Sequence, residues 1–142
     1  MSAFLELTKP RITQLVLLTA AAGFTLGSRA AVDLALLAHT LAGTALVAGG
    51  TNAFNQLRER DIDARMHRTQ DRPLPSGRVT PRAAGLFAGV ISLAGVGYLW
   101  AAVNPLTALL AAVTLASYVL LYTPLKPKTS LNTLIGAVPG AL

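Results

Sequence analysis

Residues 34–82 read LALLAHTLAGTALVAGGTNAFNQLRERDIDARMHRTQDRPLPSGRVTPR, and this stretch decides the fold class. Its first 24 residues, between Asp33 and Arg58, carry no charged side chain. At about 1.5 Å per residue, a helix of that length crosses a hydrocarbon core about 30 Å thick. The residues that follow, 58–82, hold eleven of the eighteen charges in the chain, seven of them arginines. An apolar run that gives way this abruptly to a charged one is the pattern of a membrane span entering a polar loop.

The pattern repeats outward from there. Residues 12–28 are 17 uncharged positions, and residues 83–125 are 43. The longer run has room for two crossings, and Asn104-Pro105 breaks it, because proline cannot continue a helix. The expected architecture is therefore all-α, a multi-pass transmembrane helical bundle. Four full transmembrane helices are expected at about 12–31, 34–57, 83–103 and 106–123, with the start of a fifth at about 131–142 and a motif loop at about 58–82. The last apolar run, 129–142, is 14 residues long, short of the ~20 that a span requires. The simplest reading of that run is a chain cut inside a fifth helix; a re-entrant segment is the alternative.

Composition agrees with the span count. Of 142 residues, 53% are hydrophobic and 13% charged, and mean hydropathy is +0.55. An ordinary soluble domain carries about 25% charged residues. A soluble enzyme, a disordered tail and a free nucleic-acid-binding domain are excluded, although the net charge of +6 alone would invite the last. The partner expected instead is a lipid bilayer, with no nucleic acid. With no cysteine, there is no disulfide framework and no cysteine metal site. A cytoplasmic N-terminus puts eleven of the twelve basic residues on one side, leaving Arg29 outside. Nothing in the sequence speaks to oligomeric state. Gly23 and Gly27 form a GxxxG pattern, expected to pack closely on a neighbouring helix of the same chain.

Arginines in a cytoplasmic loop are accounted for by the positive-inside bias and by anionic headgroups. The acids beside them are not. At about 100° per residue, Asn52, Asn55, Gln56, Glu59 and Asp63 fall within an arc of about 100°, while Asp61 falls opposite. If the helix continues past the membrane edge, one polar stripe runs along it. Carboxamide and carboxylate oxygens suit a hard cation such as Mg²⁺, which keeps several waters and shares its shell with substrate phosphates. The neighbouring arginines suit phosphate oxygens. A Mg²⁺–diphosphate site is one reading, with Asn55, Glu59 and Asp63 as catalytic and metal-holding residues. A solvated amphipathic extension is the other.

Asn55-x3-Glu59-x3-Asp63 resembles the first Asp-rich motif of the UbiA superfamily of intramembrane prenyltransferases, N-x3-[DE]-x3-D. Within it, three strings are most similar to the protoheme IX farnesyltransferase (heme O synthase) branch: LTKPRITQLVLLTAAAGF at 7–24, DIDARMHRTQDRPLPSGRVTP at 61–81 and YTPLKPKTSLNTLIGAVPGAL at 122–142. The resemblance implies an all-helical enzyme of the cell (inner) membrane. It would transfer the farnesyl group of farnesyl diphosphate to a vinyl group of protoheme IX (heme B), giving heme O with Mg²⁺ as cofactor. A quinone- or chlorophyll-type enzyme and a non-catalytic membrane assembly module stay open beside it. The resemblance implies that Asn55, Glu59 and Asp63 hold Mg²⁺ against the diphosphate. Arg68, Arg72 and Lys126 are candidates for its oxygens, and Lys9 and Arg11 for heme propionates or simple interfacial anchoring. The family also carries a second Asp-rich motif, and no Asp or Glu follows Asp71 here. The chain is thus similar to the first half of such an enzyme, and residues 1–142 alone are expected to be inactive. His39, about 30 Å along the helix from Glu59, is expected to pack rather than ligate heme. His67 has solvent or a propionate as alternatives. Trp100 and Tyr122 are expected as interfacial anchors, Tyr122 with a further chance of lining the cavity.

Overall fold

The computed structural model describes residues 2–126 and 128–141, and their regular structure is entirely helical. The helices are α1 (Ala3–Leu7), α2 (Pro10–Gly27), α3 (Leu34–Asp63), α4 (Pro81–Ala102), α5 (Pro105–Leu125) and α6 (Asn132–Ala141). Three of them, α3, α4 and α5, are long and apolar enough to cross a membrane. Each begins on a side-chain cap. Asp33 accepts from the Leu36 N–H at 3.0 Å, Thr80 from the Ala83 N–H at 3.2 Å and Asn104 from the Thr107 N–H at 2.7 Å. These caps satisfy donors that a helix start leaves without partners. Proline follows the cap in α4 and α5, where its missing N–H costs nothing.

Two boundaries differ from the sequence expectation. The first long helix covers Pro10–Gly27 rather than 12–31, because Ser28 turns extended and its hydroxyl donates to the Phe24 carbonyl. The second continues through the charged segment to Asp63, so the loop proper is 64–80 rather than 58–82. That loop is held to the helices. Thr69 donates its hydroxyl to the Asp63 carbonyl at 2.8 Å, and Leu74 and Val79 join Leu7, Ala53, Ala84 and Ala88 in one buried cluster. Arg78 grips Glu6 with two hydrogen bonds of 3.0 and 2.9 Å, tying the loop to α1. Gly77, at φ +76°, makes the turn.

The α3–α4 seam is built on small residues. The buried face of α4 is Ala84, Ala88, Ser92, Gly95 and Leu99, and α3 presents Gly43, Val47 and Gly50. A Cβ on Gly95 would lie 2.7 Å from Val47 Cγ2 and 2.9 Å from the Val47 backbone nitrogen. A Cβ on Gly50 would collide with the Ser92 hydroxyl. Close backbone approach of this kind replaces the hydrophobic effect as the cohesive force between helices in lipid. In contrast, a Cβ on Gly23 or Gly27 would meet nothing within 4 Å among the described residues, so the expected packing of that GxxxG pair is not found. Leu15, Leu18, Leu26, Leu86, Leu93 and Trp100 point outward, the reverse of a surface made for water.

Candidate functional site

The polar stripe on α3 forms, but it divides into two. Its first part braces α1. Gln56 donates to the Glu6 and Leu7 carbonyls, both at 3.2 Å, and Asn52 donates to the Thr8 carbonyl at 3.1 Å. The Glu6 carbonyl also accepts from the Lys9 N–H, and the Thr8 carbonyl from the Thr13 hydroxyl, so the turn after α1 is held from both sides. Asn52 and Gln56 are therefore structural clamps on the α1–α2 junction. There Lys9 sits in the left-handed region at φ 48°, an uncommon place for a side chain with a Cβ.

The second part, Asn55, Glu59 and Asp63, lines a cavity of about 650 Å³. Asp63 is 4% exposed, and its Oδ2 accepts from Arg72 Nη1 at 2.7 Å. Glu59 accepts from Asn55 Nδ2 at 3.1 Å and from Lys126 Nζ at 3.2 Å. Asn55 Oδ1 accepts from the buried Thr123 hydroxyl at 3.3 Å. Asp61, on the opposite side of the helix, has a side chain 82% exposed and, among the described residues, pairs only with neighbouring Arg60. Lys9, Arg58, Arg68, Arg72, Lys126 and Lys128 line the same cavity against two carboxylates. The excess of cations gives the cavity a positive field, which suits a multiply charged anion. Burial, then the Arg72 guanidinium, holds Lys9 below the ordinary lysine range, as expected of an ammonium facing cations. Burial pulls Lys126 the same way, but its hydrogen bond and charge pairing with Glu59 prevail and raise it.

The far wall comes from α5, whose last turns are irregular. Residues Ser117–Tyr122 form a π-helical stretch in which the Thr123 N–H reaches the Tyr118 carbonyl five residues back. Pro124 has no N–H for the carbonyl four residues back, and the wider turn accommodates that loss. The stretch brings Tyr118 and Thr123 to the cavity. Sequence reading missed both; a proline after Thr123 inside an apolar run was the available signal. Tyr118, not Tyr122, lines the cavity, and Tyr122 instead closes on Gly136 of α6. Tyr118 also lines an adjoining apolar cavity of about 320 Å³ with Ile12, Val16, Val47, Ala48 and Ala111.

Among the described residues, no group of three or more His, Asp and Glu comes together. Two carboxylates and a carboxamide do. That set fits Mg²⁺ in the form that leaves most of its shell to water and substrate phosphates. His39 hydrogen-bonds the Tyr98 hydroxyl and does not line this cavity. His67 is exposed and absent from its walls.

Three apolar helices long enough to cross a membrane, with a cation-lined cavity beside an apolar one, point to an integral membrane protein. The chain belongs to the UbiA prenyltransferase family, which it matches over residues 16–142. It is similar to proteins named protoheme IX farnesyltransferase. That of Solibacter usitatus is 47% identical over 100% of this chain and 52% of its own length. Those of Anaeromyxobacter sp. and Salinibacter ruber are 47% and 48% identical, over 97% and 98% of this chain and 46% and 49% of their own length. The chain spans about half the length of the curated relatives it matches. No solved structure matches it.

Proposed function

We propose that this chain forms the diphosphate-binding half of a protoheme IX farnesyltransferase, which transfers the farnesyl group of farnesyl diphosphate to a vinyl group of heme B. The observation that carries the reading is the convergence of Asn55, Glu59 and Asp63 with six cations in one cavity that adjoins an apolar one at Tyr118. The allylic C–O bond breaks and the diphosphate leaves with the electron pair. A vinyl carbon forms the new C–C bond, and water supplies the hydroxyl to the adjacent carbon with loss of its proton. Bound Mg²⁺ supplies Lewis-acid stabilisation of the departing diphosphate. Arg68, Arg72 and Lys126 bind its oxygens. Asp63 and Glu59 hold Arg72 and Lys126 in position by their ion pairs, and with Asn55 they are the residues that would hold the metal. The apolar cavity takes the first isoprene units and keeps water from the reacting carbon. Full-length protein with farnesyl diphosphate, heme B and Mg²⁺ is expected to yield heme O, detected by mass spectrometry, and chelation is expected to stop it. A product from another acceptor, with none from heme B, would contradict the assignment.

The same reading places four spans in the cell membrane with the N-terminus and the 64–80 loop in the cytoplasm, supported by the eleven-to-one distribution of basic residues. Cysteines introduced at positions 31 and 70 are expected to label from outside and inside respectively. The reverse result would overturn this topology.

A further inference from the structure

A second cavity, of about 630 Å³, lies on the other side of Lys9. Lys9 and Arg72 line it as they line the diphosphate cavity, but here they are joined by Arg11 and by Gln56. Glu6 is the one carboxylate among the lining residues, and both its oxygens are engaged by Arg78. This cavity therefore has three cations and no acid available to a metal. Gln56 adds an independent sign. Its nitrogen is fixed by two backbone carbonyls, so its amide cannot be turned round, and its Oε1 is buried with no hydrogen-bond partner in the protein. An acceptor in that position calls for a donor carried by a ligand or its bridging water. Ile12 lines both this cavity and the apolar one.

We infer that this second cavity is the carboxylate subsite of the prenyl acceptor, with Arg11 and Lys9 pairing the carboxylates and Gln56 Oε1 receiving a hydrogen bond from a water that bridges to them. The inference rests on the functional reading above and deepens it. Two cation-lined cavities share Lys9 and Arg72, and both adjoin the apolar cavity. One has the carboxylates that a metal–diphosphate needs; the other has none. A donor anchored by diphosphate and an acceptor anchored by carboxylate would thus converge from two sides on the apolar cavity. Heme B carries two propionates and fits that acceptor chemistry. A lipid headgroup is the competing anion.

The test crosses a substitution with a substrate change. Arg11 lines only the second cavity and is exposed, so its replacement leaves the buried core intact. In the full-length protein, Arg11→Gln is expected to lower kcat/KM for heme B at least ~10-fold, the scale of one charged hydrogen bond. The loss should lie in KM for heme, and KM for farnesyl diphosphate should stay within about twofold. With the dimethyl ester of heme B, whose acid groups are masked, wild type and Arg11→Gln should fall within about twofold of each other. Arg11→Lys should recover the preference for the free acid. Arg68→Gln, whose side chain lines only the diphosphate cavity, should raise KM for farnesyl diphosphate and keep that preference. Equal losses on heme B and on its diester would overturn the inference and leave the functional reading standing; a lipid headgroup at Arg11 gives that result. Wild type inactive on heme B, yet active on another acceptor, would overturn both.

Discussion

Asp63→Asn in the full-length enzyme is expected to lower the rate at least ~10²-fold, the scale of removing one electrostatic donor to a transition state. Asn keeps the shape and removes the charge. Asp63 is 4% exposed, pairs with Arg72 at 2.7 Å and shares its cavity with Glu59 and Asn55. Asp61→Asn makes the same chemical change two residues away on a side chain that is 82% exposed. It should stay within about threefold of wild type, because surface ion pairs contribute little. Yield and melting temperature must be compared, since Asp63→Asn also removes the partner of Arg72. A severe Asp63→Asn with a mild Asp61→Asn, both folded, is the expected result. Equal effects would mean that the loss follows the charge of the segment rather than the face of α3.

The second large effect concerns stability. Gly95→Ala is expected to lower the melting temperature of the detergent-solubilised protein by several degrees, from an overpacking cost of about 1–3 kcal/mol. The added methyl would meet Leu46 Cβ and the Val47 nitrogen, both at 2.9 Å, and backbone atoms cannot rotate away. Gly85→Ala on the same helix is the control. Its methyl would find Leu57 Cδ2 at 3.5 Å, an ordinary contact, so the stability should change little. Equal shifts in the two variants would mean that α3 and α4 do not meet along this seam.

The helices and the stripe were legible because each rests on local rules. Uncharged runs marked the long helices, three of which are apolar enough to span, Asn104-Pro105 set the break, and a 3.6-residue period put Asn55, Glu59 and Asp63 on one face and Asp61 on the other. The division of labour within the stripe was not legible. Gln56 and Asn52 differ from Asn55 only in what faces them, and that depends on where α1, a five-residue helix, docks. The helix seam was misplaced for a related reason. Gly23 and Gly27 satisfy a motif but meet nothing within 4 Å among the described residues, whereas the small residues Ala84, Ala88, Ser92 and Gly95 recur at helical spacing and do meet α3. Spacing shows that a face is smooth; it does not show which smooth face finds a partner. Tyr118 and Thr123 reach the cavity through a π-helical turn, and a turn of that kind depends on satisfying backbone groups around Pro124 rather than on any side-chain period.

A metal–diphosphate held by the end of α3 and its arginines can be tested by direct binding, which requires no turnover. Inorganic diphosphate titrated calorimetrically into the full-length protein in detergent is expected to bind with Mg²⁺ and much more weakly with chelator. Asp63→Asn should abolish the Mg²⁺-dependent part, and Asp61→Asn should retain it. Binding that is indifferent to Mg²⁺, or that survives Asp63→Asn unchanged, would contradict the claim and leave the cavity a plain cluster of cations.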